Sequence, residues 1–185
     1  MKVIHDLAQR GVLFDKSLCH ILTRNIEYAK SSDDCEILIG GGYDDSIGYF
    51  IEPTIILSKN HQFKTMKEEI FGPVITIYVY DDNEWKQMLD VVDKTSDYAL
   101  TGAFISNDEE SIKIALNKLR YSAGNFYIND KPSGAVVCQQ PFGGCRASGT
   151  DDKAGSKLNL LRWISPRLVS RTHNPPTSYQ YDYMD

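Results

Sequence analysis

Residues 74–80, VITIYVY, open a run that continues DDNEWKQMLDVVDKTSDYALTGAFISNDEESIKIALNKLRYSAG and closes on NFYI at 125–128. Every position of 74–80 is apolar or β-prone, as expected of a strand buried on both faces. Trp85, Met88, Leu89 and Val92 then recur at the spacing of an amphipathic helix. Residues 102–105 read as a second strand. Ser106 with Glu109 three residues on is a capping-box signal, and Ile112, Ala115, Leu116 and Leu119 stripe the helix that follows. Residues 125–128 are a third strand. Strand–helix–strand–helix–strand with crossovers of this length predicts a parallel α/β sheet.

Upstream, Leu18, Ile21, Leu22, Asn25, Ile26 and Ala29 share a helical stripe behind Asp15, a candidate N-cap. Residues 35–39 form a short apolar strand ended by Gly40-Gly41-Gly42. Residues 49–57 read as another strand, interrupted by Pro53, which cannot donate to a ladder. Downstream, residues 129–157 are rich in Gly, Pro, Ser, Asp and Lys, and so long a loop is usually functional or disordered. Residues 160–169 look like one more strand, crossed by Pro166, and the tail carries Tyr179, Tyr181 and Tyr183.

The chain has 185 residues, a formal charge of −5, 42% hydrophobic and 24% charged residues. That suffices for one core without staples, since a chain of this size buries roughly 70% of its unfolded surface. A pI near 5.4 argues against a general nucleic-acid binder. No apolar run approaches the roughly 18 residues of a membrane span. Cys19, Cys35, Cys138 and Cys145 have no C-x-x-C spacing and read as free thiols. The histidines are scattered, so no metal site is expected. Residues 1–14 resemble neither a secretory leader nor a transit peptide.

The glycines at 40–42 lack phosphate-loop spacing and read as a strand-end turn. The Asp pairs at 44–45, 81–82 and 151–152 read as solvated turn residues. Cys138 and Cys145 stand in the long loop, but a nucleophile needs a base or a cation beside it, and ordinary thiols are the better reading. Lys67-Glu68-Glu69-Ile70-Phe71-Gly72-Pro73 leaves two readings open. A carboxylate held before a buried strand could accept bonds from the vicinal hydroxyls of a ribose. Alternatively, the Glu pair is solvated and Phe71 belongs to the core.

The segment KEEIFGPV at 67–74 resembles the E-E-x-F-G-P signature of the aldehyde dehydrogenase superfamily. AGNFYINDKPSGAVVCQQPFGGCRASG at 123–149 resembles the substrate-loop region of its branch acting on L-glutamate γ-semialdehyde. The resemblance implies an α/β fold: residues 12–159 as part of the catalytic domain, mostly parallel sheet with flanking helices, and 160–185 as an oligomerisation strand and tail. Residues 1–11 are unmatched. It further implies that Glu69 grips the nicotinamide ribose of NAD and that Phe71 packs beside the nicotinamide. Ser133, Gly134 and Ala135 would anchor the α-carboxylate of the semialdehyde through backbone N–H groups, with Phe142 against its aliphatic stem. A homo-oligomer in the mitochondrial matrix is implied as well.

Two departures stand out. Relatives often carry a hydroxyl residue where Ala135 stands, which removes a side-chain bond but not the backbone anchor. Family catalysis uses a cysteine in a G-Q-x-C-type segment upstream of the E-E-x-F-G-P signature, and no such segment lies in these 185 residues. The expectation is a C-terminal part of the enzyme, inactive alone. The alternative is a non-catalytic short form that pairs with full-length subunits.

Overall fold

The computed structural model describes residues 12–184 apart from 14, 47 and 137. In chain order the elements are β1 (Val12–Leu13), α1 (Lys16–Lys30), β2 (Cys35–Ile39), β3 (Tyr43–Asp44), β4 (Phe50–Ile51), β5 (Thr54–Ser58), α2 (Lys64–Lys67) and β6 (Val74–Tyr78). There follow α3 (Trp85–Thr95), β7 (Tyr98–Ala99), β8 (Thr101–Phe104), α4 (Glu109–Lys118), β9 (Asn125–Ile128), β10 (Cys145–Arg146) and α5 (Lys157–Leu160). Among the described residues no helix is long and apolar enough to cross a membrane.

α1 starts where Asp15 Oδ1 accepts the N–H groups of Ser17 and Leu18 at 2.9 and 3.0 Å, satisfying two donors a helix start leaves open. Its buried face is Cys19, Leu22, Asn25, Ile26 and Ala29. Ile21, expected on that stripe, is half exposed instead. At 100° per residue it lies at the edge of the arc centred between Leu22 and Ala29, and Cys19 takes the inward place. Leu22 and Ile26 pack on Ile51 and Ile70, which seats the helix against β4 and the approach to β6.

β5 joins β2 antiparallel and β6 parallel, the latter from Thr54 opposite Val74 to Ser58 opposite Tyr78. β8 and β9 are parallel, Thr101 opposite Asn125 through Phe104 opposite Ile128, with α4 as the crossover. Leu89, Ala115 and Leu119 bury against Trp85, Phe104 and Phe126 to hold α3 and α4 on that pair. The expected parallel pairing is thus present, but among the described residues β6 and β8 share no ladder. Nor is 74–80 buried on both faces. Val74, Thr76 and Tyr78 face the core, whereas Ile75, Ile77 and Val79 are exposed. A strand apolar or β-prone throughout marks surface fit for burial, and among the described residues only one face is covered.

Two further expectations are corrected. The N-cap of α4 is Asp108, whose carboxylate accepts the N–H of Ser111, while Ser106 Oγ accepts from the Asp108 N–H. The helix begins two residues beyond the capping-box match, because aspartate is itself a strong cap and reaches the third residue on. Residues 160–169 are not a strand. Lys157–Leu160 is helical, Leu161–Trp163 is a 3-10 turn, and no ladder partner follows. Apolar β-prone residues form a strand only when another edge supplies hydrogen bonds, and among the described residues none lies beside them.

Candidate functional site

The turn at 68–73 is fixed from both sides. Ile70 is buried with Leu22 and Ile26. Gly72 lies directly under Leu22, so close that a Cβ there would sit 2.2 Å from Leu22 Cδ2. The Pro73 carbonyl accepts the Thr54 N–H at 2.8 Å. With its neighbours pinned, Phe71 is held at φ 55° and its ring stands 77% exposed. A bulky residue in the left-handed region costs about 1–3 kcal/mol, and such strain concentrates at functional sites. The reading that put Phe71 in the core is therefore overturned. Glu68 pairs with Lys64 at 3.7 Å. Glu69 is exposed and, among the described residues, holds no hydrogen bond or ion pair.

The second loop leaves the end of β9. The Ser133 N–H donates to the Lys131 carbonyl at 2.9 Å, so it is already engaged. Gly134 and Ala135 N–H groups have no protein acceptor among the described residues. Phe142 is half-buried, its ring tip 3.9 Å from where a Cβ on Gly134 would stand. The fold thus brings Phe142 beside Gly134. No hydrogen bond or ion pair among the described residues links Glu69 or Phe71 to residues 133–142.

Two cations in the long loop tie it down: Lys153, not singled out from sequence, and Arg146, which sequence marks only as the neighbour of Cys145. Lys153 Nζ donates to the carbonyls of Gly124 and Gly143 at 2.6 and 3.1 Å and pairs with Asp151 at 2.8 Å. The backbones of Phe142 and Ala154 exchange hydrogen bonds at 2.9 and 2.8 Å. Arg146 pairs with Asp93 on α3 at 2.6 Å and donates to its carbonyl at 2.7 Å. Asp151 and Asp152, expected to be solvated, both hold ion pairs. A lysine or arginine in a polar loop carries no local signal of its partner, which lies up to 53 residues away. Arg146, engaged with Asp93, leaves Cys145 near the Tyr121 carbonyl at 3.6 Å, an ordinary half-buried thiol.

The Ser122 hydroxyl and then Arg146 hold the Asp93 carboxyl below the usual aspartate range. Near pH ~4 the unfolded chain therefore binds more protons there than the folded one. The contribution is full above the ordinary aspartate range and is lost as the pH falls through and below it. Asp93→Asn should lower stability to urea by up to about 1 kcal/mol at neutral pH, since the pair is partly solvated. The gap should close at strongly acid pH, and a gap that ignores pH would refute this.

The chain as a whole is similar to known proteins. The family model described as "Aldehyde dehydrogenase family" matches residues 6–169, reaching into the segment 1–11 that the resemblance left unmatched, and the chain belongs to that family. The chain is 55% identical over 174 residues to the mitochondrial delta-1-pyrroline-5-carboxylate dehydrogenase of Dictyostelium discoideum, covering 94% of this chain and 31% of that one. The human protein of the same description is 53% identical over 159 residues, covering 86% and 28%. The crystal structure of Delta-pyrroline-5-carboxylate dehydrogenase from Mycobacterium tuberculosis bound with NAD has a TM-score of 0.75 at 47% identity, covering 95% and 31%. The chain thus spans about a third of the length of these relatives, and over that share its α/β architecture is theirs.

Proposed function

We propose that this chain supplies the nicotinamide-side turn and the carboxylate-side loop of an NAD-dependent enzyme that oxidises L-glutamate γ-semialdehyde to glutamate. The observation that carries the reading is the turn at 68–73, with Phe71 strained outward and Glu69 exposed beside it without a partner among the described residues. A carboxylate with free acceptor positions suits the two hydroxyls of a ribose, and charge-assisted bonds contribute about 1.5–3 kcal/mol each. An exposed ring next to it suits a planar nicotinamide. NAD, when bound, supplies the hydride acceptor. Glu69 would orient its ribose and Phe71 would flank its ring.

At the other loop, the open N–H groups of Gly134 and Ala135 suit a carboxylate, as successive backbone donors do. The Ser133 hydroxyl, which makes only a long 3.4 Å bond to the Gly134 carbonyl, would add a donor on turning to the ligand, and Phe142 offers an apolar wall to the aliphatic stem. The relatives' descriptions and the NAD-bound neighbour support both halves. They also support a mitochondrial setting, for which we propose the matrix. Residues 160–185 are proposed as the segment through which subunits pair: Trp163 is 80% and Leu168 96% exposed. The alternative of a short form acting on full-length subunits draws on that same segment.

One set of measurements on the purified 185-residue chain tests this. NAD binding followed by NMR should weaken about tenfold or more in Glu69→Gln. NADH should not form from NAD and the semialdehyde, because the chain contains no G-Q-x-C-type segment. Binding indifferent to Glu69 would sink the cofactor assignment, and NADH formation would sink the inactivity. Sedimentation as a monomer at every concentration, alone or with a full-length relative, would count against the pairing segment.

A further inference from the structure

The Lys153 ammonium donates to the Gly124 carbonyl at 2.6 Å, the Gly143 carbonyl at 3.1 Å and, at 3.5 Å, Asn125 Oδ1. Asp151 Oδ1 lies beside it at 2.8 Å as an ion pair without hydrogen-bond geometry. Asp151 Oδ1 is itself fully buried and takes no hydrogen bond among the described residues, so the Lys153 charge is what compensates it. A buried carboxylate oxygen with one cationic partner is costly to leave alone, which gives the pair a definite geometry.

The surrounding bonds all converge on the residues next to Phe142. Asn125 Nδ2 donates to the Pro141 carbonyl at 2.9 Å and Asn125 Oδ1 accepts the Gly143 N–H at 3.2 Å. Phe142 itself is bridged to Ala154, the residue after Lys153. The chain at 141–143 is therefore held from the start of β9 on one side and from 151–154 on the other, and Lys153 is the only cation in that knot among the described residues. Both Asp151 and Lys153 have positive φ, 55° and 54°, in residues other than glycine. Such conformations persist only where surrounding bonds over-determine them.

We propose that Lys153 is a positioning residue: through Gly143 and Gly124 it sets where the Phe142 ring stands against Gly134, and so shapes the wall of the carboxylate-side loop. Its ammonium touches no substrate position and acts only through the backbone it holds. Arginine would not substitute, because a planar fork cannot point three donors tetrahedrally into one cradle. The consequence for ligand binding rests on the function proposed above; the positioning itself does not.

Amide hydrogen exchange and L-glutamate titration, both read by NMR on the full 185-residue chain, separate the two. In Lys153→Met the amides of Phe142 and Gly143 should exchange at least about tenfold faster, while that of Ile26 in the α1 core stays unchanged. Asp151→Asn, a milder change, should loosen the same two amides by less. It keeps the test decisive if the lysine variant does not fold. Unchanged exchange at Phe142 and Gly143 in the folded variants would overturn the proposal. If the parent chain shifts its Gly134 and Ala135 amides with L-glutamate, Lys153→Met should weaken that response about tenfold. An equal response in variant and parent would overturn the link to the loop. A parent chain that ignores L-glutamate but loosens on substitution would uphold Lys153 as the clamp and count against the substrate assignment alone.

Discussion

Gly124→Ala is expected to unseat the long loop from the β8–β9 unit and to cost about 3 kcal/mol. A Cβ at that position would stand 2.0 Å from the Gly143 carbonyl oxygen, 2.7 Å from Gly144 Cα and 2.8 Å from Asp151 Oδ1. Two of these are backbone atoms, which cannot rotate away as a side-chain tip would. Overpacking alone costs about 1–3 kcal/mol. Here the same displacement pulls the Gly143 carbonyl off Lys153 and strains the buried Asp151 pair, which places the cost at the upper end. Urea denaturation measures the loss, and amide exchange at Phe142 and Gly143 locates it. A stability within about 0.5 kcal/mol of the parent would show that the loop moves aside freely.

Leu22→Ala should cost about 3–4 kcal/mol. Leu22 is fully buried among Cys19, Ile26, Ile51 and Ile70, and truncating such a residue removes transfer free energy and leaves a cavity. The effect reaches the candidate site, because Leu22 also covers Gly72. A double-mutant cycle isolates that contact. Gly72→Ala alone collides with Leu22, while in the Leu22→Ala background the added methyl enters vacated space. The double variant should therefore be more stable than the sum of the single changes by at least about 1 kcal/mol. Strict additivity would mean that Leu22 does not set the position of the turn that presents Phe71.

Much of this was legible from local pattern. The helical stripe behind Asp15, the short strands at 35–39 and 125–128, and the break at Pro53 follow from period, capping chemistry and a missing N–H. The E-E-x-F-G-P and substrate-loop segments are long enough to carry the family assignment unaided, and the match over residues 6–169 agrees with it. The candidate residues Glu69, Phe71, Ser133, Gly134, Ala135 and Phe142 were all named by that resemblance. What it could not say is how they are held.

The limits of pattern have separate physical causes. The capping box at Ser106 failed because two residues in one short segment can both cap, and the helix start chose between them. The strand at 160–169 failed because a strand needs a second edge, and a one-dimensional pattern does not say whether one is present. The two readings of Phe71 could not be separated from sequence, since an aromatic after an apolar residue suits either side of a surface. Ile70 and Gly72 decided it by packing under Leu22, 48 or more residues earlier in the chain.

By itself, then, the sequence determined the family and the α/β alternation and named the candidate residues, because these depend on local periodicity and on motifs read along the chain. The tertiary structure alone decided that Phe71 points outward under strain. It also decided that the Ser133 N–H is engaged while those of Gly134 and Ala135 meet no acceptor among the described residues, and that Lys153 and Arg146 anchor the loop. Apart from the Ser133 N–H, which turns back on Lys131 two residues before it, these depend on contacts between residues far apart in the chain. Burial, steric exclusion and ion pairing act on distance in space, which spacing along the chain does not encode.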